Sequence, residues 1–458
     1  ANLDIKNRFY KAYPGLVYDV RLAVIGGAFP YSFILESGPT GMSIDSKGKI
    51  LWENPIEAAE SYPVTVRVRD AEFSETSVSW TILVTSQGFR FIDAKNGTSL
   101  SQGADGSFLK PWKSLKDMYG GDDYDSKFSV TTAGDFIYWR EGTYSMDATK
   151  ENDNTRVAFL PNRKALVWLA YPGESPVIDL KESYIAIYSI GDNTYFDGLD
   201  FNLNGNVRGM GVQISSSSNN VTFRNNKFHG LTTGYIGGNN SLIFVSKNKE
   251  GRFWSFQDNE MYDVNNGYGV LGYRASKVLI ENNALHEIYG HPVGPKMATN
   301  MWFIRANHFY KNSASSINVQ YYSAGIGSGD IEISYNLILS GGGKMRVNTN
   351  QDSTGGAMYM FRNTILDVVQ QNKVTTTNGQ FYWYDNIIIN ESTQMDKIDK
   401  VNIEDASRLL IRDNLIGNAA DNIVDSLGYL QSDYTSFIGQ KGHQVGKRPM
   451  PPMDLTVN

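Results

Sequence analysis

Hydrophobic and polar positions along this chain follow two rhythms. Between Tyr62 and Val84 they alternate singly: Val64, Val66 and Val68 on one strand, then Val78, Trp80, Ile82 and Val84 on the next, with the polar run Asp70 to Glu75 between them. Single alternation buries one face of a strand, and a short polar run joining two such strands predicts a hairpin. From Val221 to Ile416 the rhythm is longer. Two or three apolar or aromatic residues, a polar pair, an asparagine and more apolar residues recur as FRNNKF at Phe223, FQDNEM at Phe256, IENNAL at Ile280, IRANHF at Ile304 and ISYNLI at Ile333. FRNTI at Phe361, YDNII at Tyr384 and RDNLI at Arg412 continue the series.

The recurring asparagines are Asn226, Asn259, Asn283, Asn307, Asn336, Asn363, Asn386 and Asn414, spaced 23 to 33 residues apart. A unit repeated at this period points to a solenoid. The flanks (VTFR, VLIE, MWFI, IEIS, FYWY) are short, β-branched and aromatic, and are bounded by Gly, Asn and Ser, which makes them strands. One asparagine per turn suggests a buried ladder, each amide bonding the next rung about 4.8 Å away. Asparagine also tolerates the left-handed conformation of a tight bend. The expected fold is all-β: a right-handed parallel β-helix over residues 89–440, preceded by a β-sandwich over 1–88 and followed by a tail over 441–458. A short amphipathic helix at Lys113 to Met118 would cap the helix, and FIYWREGTYSM and ALVWLAYPGESPVIDL would be its first rungs. FDGLDF at Phe196 takes the slot of the asparagine phrase.

Composition narrows the function classes. A net charge of −6 and a pI near 5.5 argue against nucleic-acid binding. With no cysteine there is no disulfide scaffold and no thiolate metal site. No apolar run reaches the roughly 18 residues that span a membrane. The chain opens ANLDIKNRF, as a mature or trimmed form would. Abundant Tyr, Phe, Gly and Asn suit a secreted, carbohydrate-facing β protein.

The asparagine bend also serves as a ruler. If the strand ending there is the second of three, the first strands lie 10 to 20 residues upstream: Ser241 to Lys247, Tyr268 to Arg274, a short piece at Lys296-Met297, Ile317 to Tyr322 and Lys344 to Asn348. Alternation with Ile317, Val319, Met345 and Val347 inside leaves Lys296, Asn318, Gln320, Tyr322, Lys344 and Arg346 outside. Lys247, Tyr273 and Arg274 fall at strand ends on the same side, and the preceding turn adds Tyr289 and His291. Stacked cations and amides match an extended polyanion laid along the solenoid. β-Elimination of a uronate needs its carboxylate neutralised, a base for the α-proton and an acid for the leaving oxygen. Lys296 and Arg346 suit the first role, His291 and Tyr322 the proton transfers. Lys247, Tyr273, Arg274, Tyr289, Asn318, Gln320 and Lys344 would bind substrate.

These rungs resemble right-handed β-helix polysaccharide lyases of the pectate-lyase-like, chondroitinase B and alginate lyase group. In that group a Lys and an Arg on neighbouring rungs of the first sheet do the catalysis, and KMRVNTN resembles the arginine-bearing segment, which matches Arg346. No lysine falls at the matching place on the rung before it, where Gln320 and Tyr322 stand. Phage tailspikes share the architecture, which implies a virion tail as the alternative to a secreted location, and a homotrimer. FPYSFILESGPTGMSIDSKGKILW resembles the cadherin-like, immunoglobulin-like repeats of bacterial and phage surface proteins, which act as spacers or adhesive modules. No cofactor is required; calcium is the one metal that the resemblance and the acidic loop Asp122, Asp123 and Asp125 bring into question.

Two other functions compete. A glycoside hydrolase needs paired carboxylates, for which Asp258 with Glu260, Glu281 with Glu287, and Asp330 with Glu332 and Asp352 are the candidates; the polygalacturonase signature is missing at Gly290-His291-Pro292. A non-catalytic glycan-binding tail fibre or adhesin would carry the same spacer and solenoid.

Overall fold

A computed structural model describes residues 3–119, 131–145, 157–159, 164–180, 185–187, 191–205, 210–214, 218–232, 240–246, 253–296, 299–313, 316–321, 330–341, 345–349, 357–368, 373–376, 380–390, 400–403, 409–412, 415–418 and 423–424. The chain divides into two compact units. The first comprises Ala1–Tyr235, Ile243–Glu260 and Ser276–Ile280, the second Ile236–Leu242, Met261–Ala275 and Glu281–Asn458.

The first unit opens with the predicted sandwich. One sheet runs in the order Lys11–Ala12, Glu75–Val84, Tyr62–Arg69, Ser32–Ser37, the other Tyr18–Arg21, Lys49–Trp52, Met42–Ile44. Val64, Val66, Val68 and Ile82 are fully buried, as their alternation requires. The hairpin between the two long strands is held by Asp70, whose carboxylate accepts the backbone N–H groups of Glu72 and Ser74. Asp45 does the same for Lys47 and Lys49 in the turn between Met42–Ile44 and Lys49–Trp52.

Solenoid rungs follow in the same unit. Second-sheet strands Phe89–Ile92, Phe136–Trp139, Val167–Ala170, Tyr195–Asp197, Val221–Arg224 and Trp254–Gln257 pair in parallel, each with the next. Third-sheet strands Thr143–Ser145, Val177–Asp179, Asp200–Asn202 and Lys227–His229 do likewise. The cap helix forms at Leu115–Tyr119, with the Ser114 hydroxyl accepting from the Asp117 backbone N–H and with Trp112, Leu115 and Met118 buried. Inside, Phe196, Phe223 and Phe256 stack rung upon rung at 4.6 and 5.7 Å.

Several second-sheet strands are buried on both faces, which a surface sheet with one dry side does not show. The sandwich supplies the second cover: Phe9, Val20, Val66 and Trp80 form one hydrophobic cluster with Phe89, Phe136, Tyr138, Val167 and Tyr195. Module and first rungs thus share a core, although the sequence places a domain boundary between them.

In the second unit the three ladders are clear. First-sheet strands Tyr268–Tyr273, His291–Lys296, Ile317–Tyr321, Met345–Thr349, Lys373–Thr376 and Lys400–Ile403 pair in parallel. Second-sheet strands Asn300–Arg305, Ile331–Ser334, Ala357–Phe361, Gln380–Tyr384 and Leu409–Arg412 obey the same rule. So do third-sheet strands from Ala284–His286 to Leu415–Asn418.

The asparagines form the predicted ladder. In this unit side-chain amides link Asn283 to Asn307, Asn307 to Asn336, Asn336 to Asn363 and Asn363 to Asn386, at 2.9 to 3.0 Å. In the first unit Asn226 bonds Asn259 the same way, and Asn226 accepts the backbone N–H of Leu199, the residue that FDGLDF puts in the slot. Asn414 lies outside the described residues. One expectation is corrected. The left-handed residue is the one before each ladder asparagine: Asn225, Asp258, Asn282, Ala306, Tyr335, Arg362 and Asp385 have φ between 53 and 58°. An amide committed to rungs on both sides leaves the bend to the residue ahead of it. No helix among the described residues is long and apolar enough to cross a membrane.

Candidate active site

The strands that the ruler predicts are there with one correction: in place of the short piece at Lys296-Met297 a full strand runs over His291–Lys296, so His291 opens that strand and does not sit in the turn before it. Their register arranges the candidate residues. Tyr273, Lys296 and Gln320 occupy one row across three rungs, continued by Asn348. Asn318 and Arg346 occupy another, two residues away along the strands, continued by Lys373 and Lys400. Arg346 and Lys296 therefore stand two rungs and two residues apart, about 12 Å at a strand spacing of about 4.8 Å and a rise of about 3.3 Å per residue. Arg346 and Lys373 are direct neighbours. Lys373 and Lys400 are absent from the sequence-derived candidates, which end at KMRVN; the same ruler carried one and two rungs further reaches both.

Lys296 ends its strand and is buried, at 6% exposure, although alternation leaves it outside. Its cover is aromatic. The ammonium sits 4.4 Å from the ring centre of Tyr268 and 5.8 Å from that of Tyr273, an arrangement in which ring faces replace part of the water a cation loses. His291, at the other end of the strand, is half-buried with its ring 5.3 Å from the same Tyr268. Tyr268 thus joins Lys296 and His291, a role that its place in the sequence does not reveal. Gly294 lies beneath: a Cβ there would come within 2.5 Å of the Tyr268 ring, so only glycine admits the tyrosine. Tyr289 is 56% exposed in the preceding turn, and Arg274 is exposed at its strand end. Lys247, Tyr322 and Lys344 lie outside the described residues, as do Asp122, Asp123 and Asp125. Among the described residues no group of three His, Asp or Glu is placed to hold a metal ion.

Each described carboxylate among the hydrolase candidates has a partner of its own. Asp258 bonds Arg21, Glu260 lies 3.8 Å from Lys227, and Glu287 lies 3.4 Å from Lys311. Glu281 holds the fully buried Arg305 at 2.7 Å. Asp330 accepts the Ala357 N–H, and Glu332, pushed up by burial, accepts the Ser334 hydroxyl. Asp352 lies outside the described residues.

A second polar assembly sits in the first unit, where no sequence motif announces it. Arg224, from the second sheet, pairs with Asp19 of the sandwich at 2.7 Å and with Asp197 at 3.0 Å. Arg21 of the sandwich bonds Asp258, which also lies 3.8 Å from Arg224. Burial pushes the Asp197 carboxyl up to about 7, against the pull of Arg224 and with the push of Asp19 and Asp258. Thr222 donates to Asn7 at 2.8 Å, and Gln257 to the carbonyl of Leu22 at 3.3 Å. These bonds fasten the sandwich to the rungs. Beside them opens a cleft of about 420 Å³, lined by Tyr13, Tyr138, Tyr171, Glu174, Asp200 and others.

Residues 9–85 match the family Putative Ig domain. No curated protein matches the chain. Among solved structures it is similar to pectate lyase Pel9A, with 13% identity and a TM-score of 0.41 over 71% of this chain and 79% of that one. It is similar as well to a GH136 lacto-N-biosidase from Eubacterium ramulus, with 11% identity and a TM-score of 0.40 over 72% of this chain and 67% of that one. For the catalytic domain of a GH87 α-1,3-glucanase the identity is 11% and the TM-score 0.29, over 88% and 86%. The N-terminal module is thus an Ig-like domain by family, and the rungs after it form, by their own strand order, a parallel β-helix.

Proposed function

We propose that the chain cleaves an acidic, uronate-containing polysaccharide by β-elimination along the first sheet, outside the cell or on a virion. The observation that carries this reading is the row Asn318, Arg346, Lys373 and Lys400, which aligns three cationic residues on consecutive rungs. A uronate's α-proton is acidic only when its carboxylate charge is neutralised, and a row of cations about 4.8 Å apart supplies that charge at sugar spacing. Arg346 neutralises the carboxylate. Lys373, on the next rung, takes the proton from C5, a role open to a lysine and closed to an arginine, which keeps its own proton. The C5–H bond breaks, its electrons form the C4–C5 double bond, and the C4–O bond opens as the proton that Lys373 took passes to the departing oxygen. Lys296, about 12 Å away, meets the carboxylate of a different sugar, and His291 and Tyr268 complete that subsite.

The test is digestion of alginate, pectate, glycosaminoglycans and sulfated algal glycans while following the ultraviolet absorbance of an unsaturated uronate. Wild type is expected to raise the absorbance on at least one polymer. Arg346→Ala and Lys373→Ala should each lower kcat/KM about 100-fold or more, and Lys296→Ala should chiefly raise KM. New reducing ends without absorbance would replace elimination by hydrolysis. Binding without cleavage of any polymer would make this a glycan-binding fibre.

A further inference from the structure

We propose that the cleft in the first unit is a binding site for a neutral saccharide about two pyranose units long, independent of the elimination on the first sheet. It is built from Ig-like module residues and from second- and third-sheet rung residues, with none from the first sheet. Its size, about 420 Å³, lies in the lower part of the range for small-ligand sites.

Three tyrosines define it. Tyr13 comes from the module, Tyr138 and Tyr171 from successive rungs, and the last two rings meet edge to face at 6.0 Å. None of the three hydroxyls bonds another described residue, and none is sealed from solvent, so each opens into the cleft. They are donors and acceptors available to a polar ligand. A pyranose fits on both counts: its hydroxyls would satisfy the phenols, and the C–H bonds on its flat face carry the partial positive charge that a ring face attracts.

Tyr171 is presented rigidly. It begins the turn Tyr171-Pro172-Gly173-Glu174, closed by a 2.9 Å bond from the Glu174 N–H to the Tyr171 carbonyl, with Gly173 at φ 79° as a type II turn demands. Arg140 stacks 4.1 Å from the centre of the Tyr171 ring and is itself forked onto Glu174 at 2.6 to 2.9 Å. That fork holds Glu174 below the usual carboxylate range. One side of Tyr171 is thereby taken, leaving the other for the cleft.

The charges select against an acidic ligand. Each of four lining carboxylates already faces a partner: Glu174 has Arg140, Asp19 and Asp197 have Arg224, and Asp200 has His229 at 2.7 Å. The lining cations are engaged too. Lys11 is held by the carbonyl of Gly134 at 2.8 Å and by the rings of Phe89 and Phe136, and Lys227 lies 3.8 Å from Glu260. Four lining carboxylates against two lining lysines disfavour a uronate, whereas paired carboxylates can still accept bonds from sugar hydroxyls.

The experiment is a titration of the full chain with cellobiose, lactose, maltose and N,N′-diacetylchitobiose, with digalacturonate as the acidic comparison, followed by saturation-transfer NMR and calorimetry. At least one neutral disaccharide should bind near the millimolar Kd that so small a polar contact carries. Tyr171→Ala and Tyr13→Ala, both at half-exposed positions, should weaken it about tenfold or more in chains that circular dichroism shows still folded, and Tyr171→Phe should fall between. Arg346→Ala and Lys373→Ala should bind as wild type does, so that loss of elimination and loss of this site are read separately. The proposal is overturned if no neutral disaccharide binds, if binding survives both alanine variants, or if digalacturonate binds more tightly with the same sensitivity to Tyr171.

Discussion

Asn336 sits in the middle of the asparagine ladder, and Asn336→Ala measures how much the ladder contributes. The side chain is fully buried. Its Oδ1 accepts the backbone N–H and the Nδ2 of Asn307, both at 3.0 Å, and its Nδ2 donates to the carbonyl of Ile304 at 2.8 Å and to Asn363 Oδ1 at 2.9 Å. Alanine deletes these four bonds and keeps the two of the backbone, from the Asn336 N–H to Asn363 Oδ1 at 3.0 Å and from the Thr364 N–H to the Asn336 carbonyl at 2.9 Å. At about 1 kcal/mol net per bond, with a further 1 to 2 kcal/mol for donors of Asn307 left without their acceptor, the loss comes to about 5 to 6 kcal/mol. That is a large share of the stability of an ordinary domain. Urea unfolding followed by tryptophan fluorescence reads the difference directly. Asn336→Asp is the control. It keeps an acceptor for Asn307 but sets an anionic oxygen against the Ile304 carbonyl and Asn363 Oδ1. It should be destabilised at pH 7 and recover as pH falls, since a carboxylate buried among acceptors takes up a proton that the unfolded chain does not. An alanine variant within about 1.5 kcal/mol of wild type would show that the amides merely occupy turns and that the ladder carries little of the fold.

Two further substitutions probe the buried charges. The Asp197 carboxyl, raised to about 7, binds a proton more tightly in the folded chain than its usual value allows. Its contribution is therefore full below about pH 4 and is lost as pH rises toward 7, by up to about 4 kcal/mol; Asp197→Asn should remove that slope, and a wild-type-minus-variant difference that stays level from pH 4 to 7 would refute the assignment. Arg305→Met should cost about 3 to 5 kcal/mol by stranding the buried Glu281, and adding Glu281→Leu should recover most of it; a double variant as unstable as the single one would show that packing, not charge, is at stake there.

Much of this protein is legible in its local patterns. Strands form where β-branched and aromatic residues alternate or cluster, and a strand's identity depends chiefly on its own residues. Val64, Val66 and Val68 therefore mark a sandwich face, and the phrase ending in Asn226 through Asn386 marks a bend on every rung. Because a parallel solenoid stacks each rung on the one before, sequence spacing translates into spatial register, and the first-sheet strands at Tyr268, Ile317 and Met345 follow from the asparagines by counting.

Other features depend on which residues meet across long stretches of chain, and no period records that. Alternation puts Lys296 on the outside of its strand, but only the fold shows Tyr268 lying over Gly294 to cover it. Arg346 and Lys373 read as isolated cations until the register sets them on neighbouring rungs. The sandwich reads as a detached spacer, since each of its strands is complete in itself. Its attachment rests on Asp19 and Arg21 meeting Arg224 and Asp258, more than 200 residues away along the chain. The repeating rung is written in the residues themselves, because backbone pairing and apolar burial act one position at a time. The cation row, the aromatic cover of Lys296 and the tyrosine-lined cleft exist only in the folded chain, because each is made by residues that share no stretch of sequence.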